Sequence, residues 1–386
     1  MKKALSGVKV IDLTRVLAGP FCTMMLADMG AEVVKIERPK TGDDSRAFGP
    51  FLKGESAYFM CLNRNKKSIV LDLKSKEDIE IFKRLIAKAD VVVENFRPGT
   101  MEKLGIGYEE LKKVNPGIIY AACSGFGHSG PYSKKPAYDS IIQAMSGLMS
   151  ITGQPEGIPT RVGASIADII AGMYTAFGIL AALYFRQVTG VGQKVDVAMF
   201  DSVVSVLENA VVRYFVTGEV PTRIGNRHPS IAPFTSYKTK DDYIIIAVGN
   251  DRLWEAFCRA VGRPDLLEDE RFKTNKDRSM RWALLDEILG EVLKNKTTEE
   301  WIQILEEAGV PCGPINTIDK VVKDPQLLAR DMIVKTIHSV AGELLVPGIP
   351  VKLSETPGKV ETPAPLLGEH TEEVLRTWLG YKKEQG

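Results

Sequence analysis

The chain has 386 residues, 44% of them hydrophobic and 26% charged, and its 50 basic and 49 acidic side chains leave a net charge of +1. That length calls for two domains or one large one with an insertion, with enough apolar content to build a core unaided. The even charge balance argues against nucleic acid or an anionic membrane as the main partner, while leaving room for a local basic pocket that grips a phosphate.

The opening "MKKALSGVKVIDLT" has two lysines but no apolar core of a signal peptide. "VKVIDL" (Val8–Leu13) predicts a strand, "PFCTMMLADMG" a helix with Pro20 in its first turn, and "AEVVKIE" a second strand. This βαβ pattern predicts a parallel sheet. "KSIVLDL", the helix "SKEDIEIFKRLIAKA" with Ser75 as cap, and "DVVVENF" repeat it. "EELKKVNPG" and "IIYAACSGFG" add a helix and a strand, so the first 130 or so residues read as a doubly wound α/β sheet.

"SIADIIAGMYTAFGILAALYFR" (Ser165–Arg186) is uncharged from Ile169 to Phe185. It sits at the short end of the membrane-spanning range and is flanked by soluble-looking sequence, which favours a helix buried all round in a core or an oligomer interface. "GQKVDVAMFDSVVSVLENAVVRYFVTG" predicts one strand and then a long helix. After a Pro/Gly-rich linker, "TSYKTKDDYIIIAVGN" predicts a hairpin turning at Asp241-Asp242, and three helices follow. "LLVPGIPVKLSETPG" reads as strands returning to the first domain, and "GEHTEEVLRTWLG" as a final helix. The expected division is a large domain at 1–215 plus 335–386, a small α+β domain at 225–330, and linkers at 216–224 and 331–334.

Cys22, Cys61, Cys123, Cys258 and Cys312 are scattered, with no C-x-x-C and no His at ligand spacing. They read as reduced thiols of a cytoplasmic protein and give no metal site. Glu37 ends the second strand where a ribose-binding carboxylate would sit, but "TRVLAGPFCT" has no G-x-G-x-x-G, which argues against a nicotinamide or flavin cofactor. Arg38 in "IERP" is a phosphate clamp or a surface ion pair. "ENFRPG" offers the Asn95 amide, the Phe96 ring and the Arg97 charge, or a plain strand-to-helix turn. His128 in "SGFGHSGPY" is a base or a solvated loop residue, and His228, His338 and His370 have no evident partner. The chain has no G-x-S-x-G elbow for a serine hydrolase. Asp168 in "SIAD" fits an S-x-x-D capping pattern. It also fits a nucleophile held ionised by a helix N-terminus within apolar surroundings.

The stretches "VIDLTRVLAGPFCTMMLADMGAEVVKIERP", "NRNKKSIVLDL", "ENFRPGTMEKLG", "GVPCGPINTI" and "APLLGEHTEEVL" run in order along nearly the whole chain. Together they resemble the class III coenzyme A transferases of the formyl-CoA:oxalate type. Carnitine CoA-transferase and alpha-methylacyl-CoA racemase are wider relatives. The resemblance implies a Rossmann-like large domain and a small domain, two ring-like chains interlocked as a homodimer, and no permanently bound cofactor. Coenzyme A and acyl-CoA enter as substrates. It makes Asp168, ahead of "GILAAL" (Gly178–Leu183), the nucleophile, and Val16, Arg38, Asn95, Phe96 and Tyr138 the coenzyme A-binding residues. It implies an aspartyl anhydride and an aspartyl-CoA thioester as intermediates, with succinyl-CoA as a candidate donor.

Two departures weigh against oxalate as the acceptor: Leu17 stands where the formyl-CoA enzyme has glutamine, and "GNRHPSIAPF" (Gly225–Phe234) replaces a glycine-run loop. Arg15, Leu17 and His228 become candidate substrate residues. The racemase branch needs a His-Asp pair, whereas "AYDSII" keeps Asp139 with Tyr138 in the histidine position. Racemase-like chemistry and a non-catalytic CoA-binding subunit are the alternative functions.

Overall fold

The computed structural model describes residues 2–381. It divides into a larger unit, made of the chain up to Met149, Arg161–Gly218 and the chain from Pro325, and a smaller unit of Ser150–Thr160 and Glu219–Asp324. Residues 150–160 thus pack with the smaller unit, and 325–334 with the larger.

The larger unit is built on six parallel strands: β1 (Lys9–Asp12), β2 (Glu32–Glu37), β3 (Lys66–Val70), β4 (Val91–Glu94), β5 (Ile119–Ser124) and β6 (Lys194–Ala198). Their spatial order is β3-β2-β1-β4-β5-β6. The chain therefore reverses its direction of travel between β1 and β4, and open sheets bind ligands beyond the carboxyl ends of the strands at such a point. Alternate residues feed two cores. Ile11, Val34, Ile69 and Val92 pack with Phe82, Leu85 and Ile86, while Val10, Val33, Val91 and Ile119 pack with Leu26, Ala176 and Ile179. Burial on both faces accounts for the near-continuous apolar runs of these strands.

The helices that matter here are α1 (Ala18–Asp28), α2 (Lys76–Ile86), α3 (Asp139–Met145), α4 (Ile166–Thr189), α5 (Met199–Ser205) and α6 (Ala210–Thr217). Ser75 caps α2 as expected, accepting the Asp78 N–H. The single long helix expected after β6 is instead two, α5 and α6. The chain turns between them, with Glu208 in the left-handed region at φ 56°. α4 is long and apolar enough to cross a membrane. Its inner face, Ala171, Thr175, Ile179 and Ala182, is buried, but Met173, Phe177, Leu180, Tyr184 and Val188 are exposed. The expectation of burial all round therefore fails within one chain.

The smaller unit pairs β7 (Phe234–Lys238) with β8 (Tyr243–Ala247) as the expected hairpin, and β9 (Cys312–Pro314) lies on the other side of β8. Its helices close over a core that includes Trp254, Phe257, Leu285 and Trp301. In the larger unit, β10 (Ile333–His338) and β11 (Gly342–Pro347) form a separate hairpin. The segment "LLVPGIPVKLSETPG", read as strands returning to the first domain, lies in the larger unit but contributes to only one strand. Its first four residues complete β11, and the rest, which includes Pro350 and Pro357, makes no strand. Proline lacks the N–H that a ladder needs.

Candidate active site

Asp168 is the third residue of α4, and its carboxyl group faces the backbone N–H of Ala18, the first residue of α1. Two helix starts therefore meet at one carboxylate. Their close approach requires Gly172, one turn further along α4, because a Cβ there would lie 2.6 Å from the Ala18 carbonyl oxygen. The S-x-x-D pattern does not form a local cap, since the Ser165 side chain makes no capping bond. The cap comes from Asp139 at the start of α3, whose Oδ1 accepts the Ala167 N–H at 2.9 Å. Asp139 Oδ2 accepts from Gln143 Nε2 at 2.7 Å, and Gln143 Oε1 accepts the Val162 N–H at 2.9 Å. Asp139 thus caps α4, and Asp168 on α4 faces the start of α1.

The helix N-terminus is expected to hold Asp168 ionised, but its surroundings favour the protonated form more than that. Burial and the neighbouring Asp139 charge push it up to about 7, against the pull of the Ala18 amide. Desolvation outweighs the helix-end field here. Tyr58 borders the same space. Burial and the charges of Asp168, Asp43 and Asp139 push its hydroxyl up to about 12.

The β1–α1 loop is held from below by a buried ionic network. Asp12 accepts from Thr14 Oγ1 at 2.5 Å, Thr23 Oγ1 at 2.6 Å and Lys66 Nζ at 3.2 Å. Lys35 Nζ donates to the Thr14 carbonyl at 2.7 Å and pairs with Asp43 at 2.9 Å. Glu37 accepts the Asp43 N–H at 2.9 Å and a two-pronged grip from Arg46, both bonds 2.7 Å long. Burial alone would raise Asp43, but Lys35 and the Ser45 and Val16 amides hold it well below the usual carboxylate range. With its N–H bound to Asp43 Oδ1 at 3.1 Å, Val16 adopts φ 67°. That conformation is costly for a β-branched residue and persists only where the surroundings impose it.

Next to this network Arg15, Val16, Arg38, Asn95 and Phe96 come together. Asn95 clasps the backbone of Arg15 in both directions, accepting its N–H and donating to its carbonyl, each at 2.8 Å. The Arg15 guanidinium lies 5.3 Å from the Phe96 ring centroid and binds Asp44 at 2.9 Å. Arg38 reaches the same Asp44 carboxylate and also donates to the Gly42 carbonyl at 3.1 and 3.2 Å. Leu17 is buried between Val16 and α1. Arg15 to Ala18 are consecutive, so four residues join the guanidinium and phenyl cluster to Asp168. Tyr138, 76% exposed, directly precedes Asp139 at the start of α3.

His228 belongs to the smaller unit, where its ring stacks on Phe234 at 5.3 Å. His128 is no solvated loop residue: its Nδ1 meets Lys194 Nζ at 2.9 Å and its Nε2 lies 3.5 Å from Glu94. Glu94 in turn accepts the Phe96 N–H at 2.7 Å. Sequence reasoning passed over the capping role of Asp139, the approach permitted by Gly172, and the division of labour between Asp43 and Asp44. The "DDSR" run was the available signal for the last of these, and the first two arise from contacts between distant segments. Chemically, the site offers a half-buried carboxyl group pushed up to about 7 that faces a backbone donor, joined through Arg15–Ala18 to a rim of two guanidiniums and a phenyl ring.

A model of the family described as CoA-transferase family III matches residues 5–371. The chain is 46% identical over 370 residues to acetyl-CoA:oxalate CoA-transferase from Acetobacter aceti, covering 95% of this chain and 94% of that protein. It is 40% identical over 380 residues to succinyl-CoA:glutarate CoA-transferase from Homo sapiens, covering 98% and 87%. The crystal structure of a CAIB/BAIF family protein from Brucella suis matches with a TM-score of 0.87 at 40% identity, covering 98% of this chain and all of that one.

Proposed function

This chain belongs to CoA-transferase family III, and on that premise we propose that it moves coenzyme A from an acyl-CoA donor to an organic carboxylate through covalent intermediates on Asp168. The observation that carries the reading is the placement of Asp168: half-buried, facing the Ala18 amide at the start of α1, and joined by Arg15–Ala18 to the guanidinium rim.

In this reading a carboxylate oxygen of Asp168 attacks the thioester carbonyl. Collapse of the adduct breaks the C–S bond, releasing coenzyme A thiolate and leaving an acyl-aspartyl anhydride. The thiolate attacks Cγ of Asp168, expels the donor acid as carboxylate, and forms an aspartyl-CoA thioester. The acceptor carboxylate then attacks Cγ and expels the thiolate, which finally attacks the new acyl carbonyl and frees Asp168. Each step exchanges one leaving group for another and needs no net proton. Covalent catalysis divides one hard transfer into easier ones. The Ala18 N–H, already aimed at the Asp168 carboxylate, is the donor available to the oxyanion that forms there.

Val16, Arg38, Asn95, Phe96 and Tyr138 hold coenzyme A in this reading, in a Rossmann-like crevice at the β1/β4 reversal. Arg15 and Leu17 border the acyl group, and His228 is kept as a substrate residue of the smaller unit. Succinyl-CoA is the proposed donor, in line with the name of the Homo sapiens relative. Oxalate returns as a candidate acceptor beside larger dicarboxylates, because the 46% identical relative carries it in its name. A matrix of acyl-CoA donors against mono- and dicarboxylic acceptors, read by mass spectrometry of the CoA esters, tests the assignment. Absence of transfer from every donor contradicts it.

The exposed apolar face of α4, with Phe215 and Val216 on α6, supports a homodimer of interlocked chains as the working assembly. Light scattering at twice the chain mass is the expected result. The cytoplasm is the proposed location, since five unpaired thiols suit a reducing compartment.

A further inference from the structure

We infer that Asp44 is an affinity-setting residue of the coenzyme A site: its carboxylate, bridging to Arg15, occupies the Arg38 guanidinium that the ligand's phosphates would take, and ligand and Asp44 compete for it. The inference rests on the coenzyme A reading of Arg38 given above. Asp43 and Asp44 are adjacent and face opposite ways. The Asp43 side chain is turned inward, 1% exposed, to Lys35, whereas Asp44, 39% exposed, bridges Arg15 and Arg38 with its two oxygens. The backbone beneath Asp44 is fixed, because Asp43 caps the short turn Asp44–Ala47 by accepting the Ser45 N–H at 2.9 Å. Displacing the Asp44 carboxylate therefore breaks its two ion pairs and leaves the capped turn in place.

Arg15 and Arg38 supply two positive charges and Asp44 one negative charge at the carboxyl ends of β1 and β2, beside Phe96. A phosphate needs the same planar donors that a carboxylate does. A phosphate arriving there either displaces Asp44 or sits beside its charge. Either course weakens the grip on phosphate by about three- to tenfold, the effect of one like charge at contact distance in a wet site. A transferase must release an acyl-CoA from this site in every cycle, so a tighter phosphate grip shared by substrate and product would not speed turnover.

The test is calorimetric titration of the full chain and its Asp44→Asn variant with coenzyme A, and with pantetheine as a phosphate-free probe, at low and high salt. Asp44→Asn is expected to bind coenzyme A about three- to tenfold tighter at low salt, with the gap closing at high salt and pantetheine unaffected. Equal or weaker binding of coenzyme A by the variant overturns the inference, and so does equal tightening toward pantetheine. Asp44→Ser, which also removes the charge, must rank the same way and stands in should the first variant fold poorly. Arg38→Ala separates the two levels. If it binds coenzyme A as well as wild type, the site reading itself fails; if it binds weakly while Asp44→Asn is unchanged, only the role of Asp44 fails.

Discussion

Asp139 and Asp168 are linked through a single backbone amide: Asp139 Oδ1 accepts the Ala167 N–H at 2.9 Å, and the next residue is Asp168. The bond seats the start of α4, and the same carboxylate's charge helps to push Asp168 up to about 7. One residue thus positions the proposed nucleophile and tunes it.

The nucleophile must be ionised, so kcat/KM for the acyl-CoA donor is expected to rise tenfold per pH unit below about 7 and level off above it. A pH–rate profile checks this. A flat profile between pH 5 and 8 contradicts it.

Stability should run the other way. Asp168 takes its proton near 3.8 when unperturbed and near 7 when folded, so within that window the folded chain binds the extra proton. The stabilisation is complete below the unfolded value and is lost as pH rises toward 7. Asp168→Asn, neutral throughout, is expected to raise Tm by a few degrees at pH 8 and not at pH 3.5, from a difference on the order of 2–4 kcal/mol. Thermal melts at the two pH values measure it.

Asp139→Asn removes the charge while its remaining oxygen can still accept the Ala167 N–H. The acidic limb of the kcat/KM profile is expected to move down by roughly half to one pH unit. An upward movement would show that the Asp139 charge does not raise Asp168.

Gly172→Ala places a methyl 2.6 Å from the Ala18 carbonyl oxygen. Alanine favours a helix over glycine by about 1 kcal/mol, yet here the clash with the start of α1 dominates. With the Ala18 donor displaced, kcat is expected to fall about ten- to hundredfold, while circular dichroism stays native. Retention of full activity would dissociate α1 from the chemistry.

Asp43→Ala leaves Lys35, fully buried, without its carboxylate partner, and the Val16 amide without its acceptor. A buried charge stripped of its partner costs about 3–5 kcal/mol. Denaturant unfolding is expected to show that loss, together with a raised KM for acyl-CoA.

The strands of the main sheet and the Ser75 cap were legible because they obey local rules: apolar runs bounded by turns, and a hydroxyl three residues before its amide. The identical pattern at Ser165–Asp168 misled. There the cap is supplied by Asp139 and the Asp168 carboxyl faces Ala18, both partners distant in sequence. The ionisation of Asp168 was misjudged for a related reason, since helix position is visible in sequence whereas burial and a second carboxylate are not. The break between α5 and α6 turns on Glu208 at φ 56°, which no glycine or proline announces. The apolar surround of α4 suggested full burial, but composition cannot say whether its cover comes from the same chain.

The central claim, that Asp168 becomes covalently attached during transfer, is tested most directly by trapping. Enzyme incubated with an acyl-CoA donor is treated with hydroxylamine and digested, and the peptide containing Asp168 is examined by mass spectrometry. The account predicts an aspartyl hydroxamate at Asp168, dependent on the donor and accompanied by loss of activity. An unmodified Asp168 in enzyme that is turning over would contradict it.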